Sequence, residues 1–170
     1  LKQHQKDRIE LALGLIEDPH GKDYNRYRAM AAVGSGGLQG KGYHNATVAS
    51  PVLNHVPEQE TDFIFCTLSE EWGFLGSFGL VLIFTVFLLR IIAIAERQKS
   101  VFSRVYAYSV AMVLFYHFAI NVGMNIGLAP VIGIPLPFFS YGGSSLLSFS
   151  VMFFILLKLD SERVNMLAAD

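Results

Sequence analysis

The sequence predicts an all-α integral membrane protein, with three transmembrane helices following a large extracytoplasmic loop that carries short amphipathic helices. Three observations predict it. Hydrophobic residues make up 52% of the 170 and charged residues only 16%, where a soluble domain carries about 25% charged residues. From Val105 to Leu157 there is no Asp, Glu, Lys or Arg; one crossing needs about 20 apolar residues, so this run holds two. Basic residues gather in the short connections, as they do on the cytoplasmic side of a membrane.

The external segment, residues 1–66, comes first. The chain opens "LKQHQKDRIELALGL", with neither an initiator Met nor the apolar core of a signal peptide, and reads as the C-terminal part of something longer. Within "DRIELALGLI", Ile9, Ala12, Leu13 and Ile16 fall at i, i+3, i+4 and i+7, and Asp7 with Glu10 resembles a capping box, so a short amphipathic helix is expected. "EDPHG" is a turn, and "YNRYRAMAAV" a second helix, with Tyr24, Tyr27 and Ala31 on one side and Arg26 and Arg28 nearby. It runs into "GSGGLQGKG", which fails the dinucleotide template at Gln39 and the P-loop template at Ser35 and Gly42. That leaves a turn, or free backbone N–H groups with Lys41 meeting an anionic head group. "VPEQETDFIF" then sets Glu58, Glu60 and Asp62 just before an apolar run.

The first transmembrane helix is expected over 67–96, and a cytoplasmic loop over 97–103 links it to the second, 104–128. An extracytoplasmic re-entrant turn over 129–142, rich in proline, leads to the third, 143–158, and a cytoplasmic tail, 159–170. Arg97, Lys99 and Arg104 mark the first connection as cytoplasmic, and Lys158 and Arg163 mark the tail. In "IPLPFFSYGGSSLLS" the prolines and then Ser140, Tyr141, Gly142, Gly143, Ser144 and Ser145 approach the third span without a charge. Unwound backbone at membrane depth is tolerated only against protein or a water-filled cavity, so this stretch is expected to line one.

Polar groups inside the spans are few. His117, Asn121 and Asn125 recur every four residues and form one stripe, best read as interhelical hydrogen bonding, with a proton or ion path as the alternative. Gly123 with Gly127, and Gly73 with Gly76 and Gly79, read as helix-packing faces. Cys66, the single cysteine, excludes an internal disulfide and reads as a small core hydrophobe. A net charge of −1 offers nucleic acid no electrostatic footing.

Taken in order, "GSGGLQGKG", "VPEQETDFIF", "SEEWGFLGS" and "NIGLAPVIGIPLPFFSYGGSS" resemble the shape, elongation, division and sporulation (SEDS) family of bacterial peptidoglycan glycosyltransferases, and its rod-shape type more than its division type. The resemblance implies a ten-span enzyme of the bacterial inner membrane. Such an enzyme polymerises lipid II, an undecaprenyl-pyrophosphate-linked disaccharide peptide, on the outer face during elongation and cell-shape maintenance. It also implies a class B penicillin-binding transpeptidase as partner, with this chain supplying the outer loop and the last three spans. Ile132 stands where some division-type members place a Lys, and Glu60 where a His is common in relatives.

The implied reaction needs one positioned carboxylate, because a sugar 4-hydroxyl must lose its proton as it attacks an anomeric carbon. Pyrophosphate leaves without the acid-form carboxylate of a glycosidase. Asp62 matches the essential acid of the family and is the expected general base; partial desolvation at the membrane edge makes a carboxylate more basic. Glu58 is the next candidate, orienting or binding substrate, and Glu60 is expected in solvent. Lys41, Ser140, Tyr141, Ser144 and Ser145 are the further substrate-binding candidates, and one of Glu70 and Glu71 should face a polar cavity or a basic partner. No protein metal site is read from the sequence; a divalent cation such as magnesium is the alternative counter-charge for the pyrophosphate. A lipid II flippase, or a membrane scaffold for a transpeptidase, are the competing functions, and midplane acids would favour the transporter.

Overall fold

In hydrocarbon every backbone N–H and C=O must be satisfied within the protein, which makes long apolar segments helical. The computed structural model describes residues 24–42 and 61–168, and among them contains four helices and no strand. These are α1 (Tyr24–Ser35), α2 (Ile64–Glu96), α3 (Val101–Asn125) and α4 (Gly143–Ala168). The stretch 7–16, Glu58 and Glu60 lie outside the described residues. Three helices are long and apolar enough to cross a membrane: Ile64–Glu96, Val101–Asn125 and Gly143–Glu162 of α4. Phe78, Ile83, Leu89, Phe115 and Phe154 are exposed along them, as expected of helices whose outer faces meet lipid or other spans.

The three long helices meet around an aromatic and aliphatic core in which Phe84 of α2 stacks on Phe118 of α3, centroids 4.2 Å apart. At one end the connection between α2 and α3 is tied to α4. Arg97 pairs with Asp160, to which Gln98 Nε2 also donates at 2.8 Å. Tyr106 donates from α3 to the Met152 carbonyl of α4 at 3.0 Å.

At the other end α1 lies against α2 and α3. Its buried face is Ala29 and Ala32, packed with Phe63 and Cys66, with Gly36 buried just past its end, whereas Tyr27 and Ala31 point outward. Small residues allow this approach: a Cβ on Gly36 would stand 2.1 Å from the Ser69 carbonyl oxygen.

α2 has 33 residues and, at 1.5 Å per residue, extends about 50 Å, well beyond a hydrocarbon core of about 30 Å. It is also broken. Gly73 adopts φ 66, ψ −162 inside the helix, which strips partners from the backbone on both sides. The glycine loop that follows α1 replaces them. Lys41 N–H donates to the Glu70 carbonyl and Gly42 N–H to that of Glu71, both at 3.0 Å. In return Phe74 N–H donates to Gly37 at 2.8 Å and Leu75 N–H to Leu38 at 3.2 Å. The loop read as a turn or an anion cradle is a splint for an interrupted membrane helix.

Two glycine readings are corrected. Gly127 lies beyond the end of α3 at φ +83. Leu128 N–H donates to the Gly123 carbonyl at 2.8 Å and Gly127 N–H to that of Met124 at 3.4 Å, the double bond of a Schellman cap, which requires the left-handed residue. The pair Gly123–Gly127 is thus a helix stop, and α1 docks on it: Arg26 Nη2 donates to the Gly127 carbonyl at 2.7 Å. On α2, Gly73 is the break, a Cβ on Gly76 would meet the helix's own Trp72, and one on Gly79 would meet nothing within 4 Å. Of the three only Gly73 meets another segment among the described residues, the glycine loop, where its would-be Cβ lies 2.3 Å from the Gly40 nitrogen.

Between α3 and α4 the chain has no regular structure. It folds into the bundle, burying Leu136 and Pro137. Phe138, at φ 64, sets its ring against Phe87 of α2 and Phe149 and Phe153 of α4.

Candidate active site

Asp62 stands two residues before the first turn of α2 and is half-buried. Phe63, next to it, is 1% exposed, with Ala29, Ala32 and Cys66 in its cluster, so packing anchors the backbone at this point. A hydrogen-bonded pair of asparagines holds it from the other side. Asn121 Nδ2 donates to the Asp62 carbonyl at 2.9 Å and to the Ile134 carbonyl at 2.7 Å. Asn125 Nδ2 donates to the Asn121 backbone carbonyl at 2.8 Å, with Asn121 Oδ1 at 3.3 Å and the Asp62 carbonyl at 3.4 Å. Both asparagines are fully buried. Gly133 adjoins the carboxylate itself: a Cβ there would stand 3.0 Å from Asp62 Oδ2.

The stripe on α3 therefore divides. Asn121 and Asn125 join the start of α2 to the segment between α3 and α4, while His117 bonds the Val113 carbonyl of its own helix at 2.9 Å and lies edge-on to Phe149. The asparagines stand out in the sequence, but neither their partners nor the place of Gly133 beside the carboxylate does. A glycine two residues from Pro135, in a stretch already marked as unwound, was the available signal.

The remaining candidates take varied positions. Ser140 is buried and accepts the Leu136 N–H at 2.7 Å, closing the turn on which Phe138 sits. Ser145 donates to the Gly142 carbonyl at 2.9 Å at the first turn of α4. Tyr141 is 76% exposed, and Ser144 is exposed. Glu58 lies outside the described residues.

Lys41 donates to Glu70 Oε1 at 2.6 Å and to Ser35 Oγ at 2.9 Å. The Glu70 side chain has no exposure and that of Lys41 28%, so the basic partner expected for Glu70 or Glu71 is Lys41 on Glu70. Breaking a buried pair costs about 3–5 kcal/mol, discounted here to about 2 kcal/mol because the ammonium reaches water. Lys41→Ala should lower the melting temperature of the purified protein by about 4–8 °C, measured in detergent by differential scanning fluorimetry. An unchanged melting temperature with lost activity would move Lys41 from the splint to the substrate.

Among the described residues no group of three or more His, Cys, Asp or Glu gathers to hold a metal. What the arrangement offers is one carboxylate at the membrane end of a long helix, fixed by backbone contacts on two sides and beside a glycine that leaves it room.

The FTSW_RODA_SPOVE family of cell cycle proteins matches residues 1–165. The chain belongs to that family. Curated relatives include Peptidoglycan glycosyltransferase MrdB of Escherichia coli K12, 37% identical over 163 residues, covering 96% of this chain and 44% of the relative. Peptidoglycan glycosyltransferase RodA of Treponema pallidum is 34% identical, covering 96% and 37%. A probable peptidoglycan glycosyltransferase FtsW of Buchnera aphidicola is 38% identical, covering 86% and 37%. A chain from a peptidoglycan synthase complex solved for its coordination of polymerization and crosslinking superposes with TM-score 0.78 at 29% identity, covering 96% of this chain and 43% of that one. An aspartate-to-alanine variant of the rod shape determining protein RodA of Thermus thermophilus superposes with TM-score 0.61 at 32% identity, covering 79% and 40%. The chain thus spans less than half the length of these relatives. It is a multi-pass membrane segment of this family.

Proposed function

We propose that the protein to which this chain belongs polymerises lipid II into glycan strands on the outer face of the bacterial inner membrane, with Asp62 as general base, during elongation and cell-shape maintenance. The observation that carries the proposal is Asp62, its backbone carbonyl held by Asn121 at the start of α2 and its carboxylate beside Gly133, in a chain whose relatives are named peptidoglycan glycosyltransferases. In the reaction the sugar 4-hydroxyl of one lipid-linked unit attacks the anomeric carbon of another. The new C–O bond forms, the bond from that carbon to the pyrophosphate oxygen breaks, the pyrophosphate leaves with the electron pair, and the hydroxyl proton passes to Asp62. A lipid-anchored sugar lies at the membrane surface, so a base at a span's end is in reach where a midplane acid is not.

Magnesium is commonly held by one or two carboxylates together with substrate phosphates, and the Asp62 carboxylate fits that mode without a protein cluster. When bound, the ion would neutralise charge on the leaving pyrophosphate. A class B penicillin-binding transpeptidase is the proposed partner, supported by the likeness to a chain from a synthase complex that couples polymerization and crosslinking.

The deciding experiment is polymerisation of purified lipid II by the full-length protein, read as glycan chains on a gel. Transport of lipid II across vesicles without polymer would favour a flippase instead. Orientation has its own test. With Cys66 replaced, a cysteine at Ser50 should react with an impermeant thiol reagent in intact cells and one at Ser100, the residue before α3, should not. Labelling at position 100 would overturn the topology.

A further inference from the structure

We infer that Asn121 is a positioning residue for the reaction, acting through Asp62: its side-chain amide bonds the Asp62 and Ile134 carbonyls at once and so holds the Asp62 backbone against the loop that carries Gly133. The inference rests on the reading of Asp62 as general base. Both partners are backbone carbonyls, which only accept, so the amide nitrogen of Asn121 and not its oxygen faces them. Asn125 reinforces that orientation, because its own Nδ2 lies 3.3 Å from Asn121 Oδ1 and 2.8 Å from the Asn121 carbonyl.

The consequences for the site are geometric. The Asp62 and Ile134 carbonyls belong to segments far apart in the chain, and one nitrogen at 2.9 Å and 2.7 Å ties them together. Ile134 follows Gly133, whose would-be Cβ position is 3.0 Å from Asp62 Oδ2. The same nitrogen therefore governs how closely the loop approaches the carboxylate. Removing it takes away the shorter of the two asparagine bonds to the Asp62 carbonyl and leaves the longer one from Asn125, at 3.4 Å.

Stability alone is a poor account of this pair. Asn121 and Asn125 are both fully buried, and Asn125 Oδ1 is buried without a donor among the described residues. A buried unsatisfied acceptor is destabilising, and apolar side chains of similar volume would pack the same helix face without it. What apolar side chains cannot supply is a donor on the two carbonyls.

The test compares Asn121→Ala and the isosteric Asn121→Asp with the wild type in the full-length protein, measuring kcat and KM for lipid II together with the melting temperature. A displacement near 1 Å of a catalytic group lowers rate by up to about a hundred-fold. We expect kcat to fall roughly ten- to hundred-fold with KM nearly unchanged in at least one folded variant. In the Asp62→Asn background Asn121→Ala should lower the residual rate no further, as for groups acting as a unit. A wild-type kcat, a change confined to KM, an equal loss in the Asp62→Asn background, or failure of both variants to fold would each overturn the positioning role. A wild-type rate for Asp62→Asn alone would overturn the general-base reading itself, and this inference with it.

Discussion

Asp62→Asn is expected to yield a folded, membrane-inserted protein that makes glycan polymer from lipid II only at a small residual rate, roughly 10² to 10⁴ below the wild type. The substitution keeps the shape of the side chain and its capacity to accept a hydrogen bond, and removes the basic oxygen. The Asp62 backbone carbonyl, which Asn121 holds at 2.9 Å, is untouched, and so is the burial of Phe63 beside it. Loss of a general base lowers rate by roughly 10² to 10⁴, while an exposed acid with no role would change neither rate nor stability. Melting temperature and co-purification with the proposed transpeptidase partner should therefore stay at wild-type values as the rate falls. Glu60→Gln, two residues away, serves as the control and should polymerise normally. Polymer from Asp62→Asn at the wild-type rate would remove the base assignment and bring the flippase reading forward.

Gly40→Ala should be the most damaging single methyl in the glycine loop. Gly40 has φ +77, and a Cβ there would stand 2.1 Å from the Glu71 carbonyl oxygen and 2.5 Å from its carbon. Both are backbone atoms of α2, so no side chain can swing aside. The neighbour is as tight in return, because a Cβ on Gly73 would stand 2.3 Å from the Gly40 nitrogen. The loop has to lift, which undoes the bonds from Lys41 and Gly42 to the broken helix. Combined left-handed strain and lost backbone bonds place the loss on the order of 4 kcal/mol, or about 10 °C in melting temperature, with reduced folded yield from membranes. Gly34→Ala is the internal contrast. Gly34 lies in α1 with nothing within 4 Å of its would-be Cβ, and helix propensity favours alanine there by up to about 1 kcal/mol. Equal effects at the two positions would remove the splint account of the loop.

Much of the fold was legible because it depends on properties carried locally along the chain. Absence of charge from Val105 to Leu157 is a statement about each residue's own solvation, and hydrocarbon imposes helices on such stretches whatever they pack against. The prolines between α3 and α4 likewise announced unwound backbone from their own chemistry. Asp62 was reached through its motif and the resemblance that motif carries, a route that names a residue without showing what holds it.

What tertiary structure alone decided are the partnerships between distant positions. Asn121 reaches Asp62 across 59 residues, Lys41 reaches Glu70 across 29, and Arg26 reaches Gly127 across 101. Gly127 could be a packing face or a helix stop, and only the observed φ of +83 and the bonds to Gly123 and Met124 distinguish them. Gly73 could be one more small residue in a helix until its backbone is seen to leave the helical region. The physical reason is the same throughout. Solvation and backbone restriction belong to a residue and can be read from its type. A hydrogen bond between segments belongs to a pair, and which donor meets which carbonyl is settled when the helices pack.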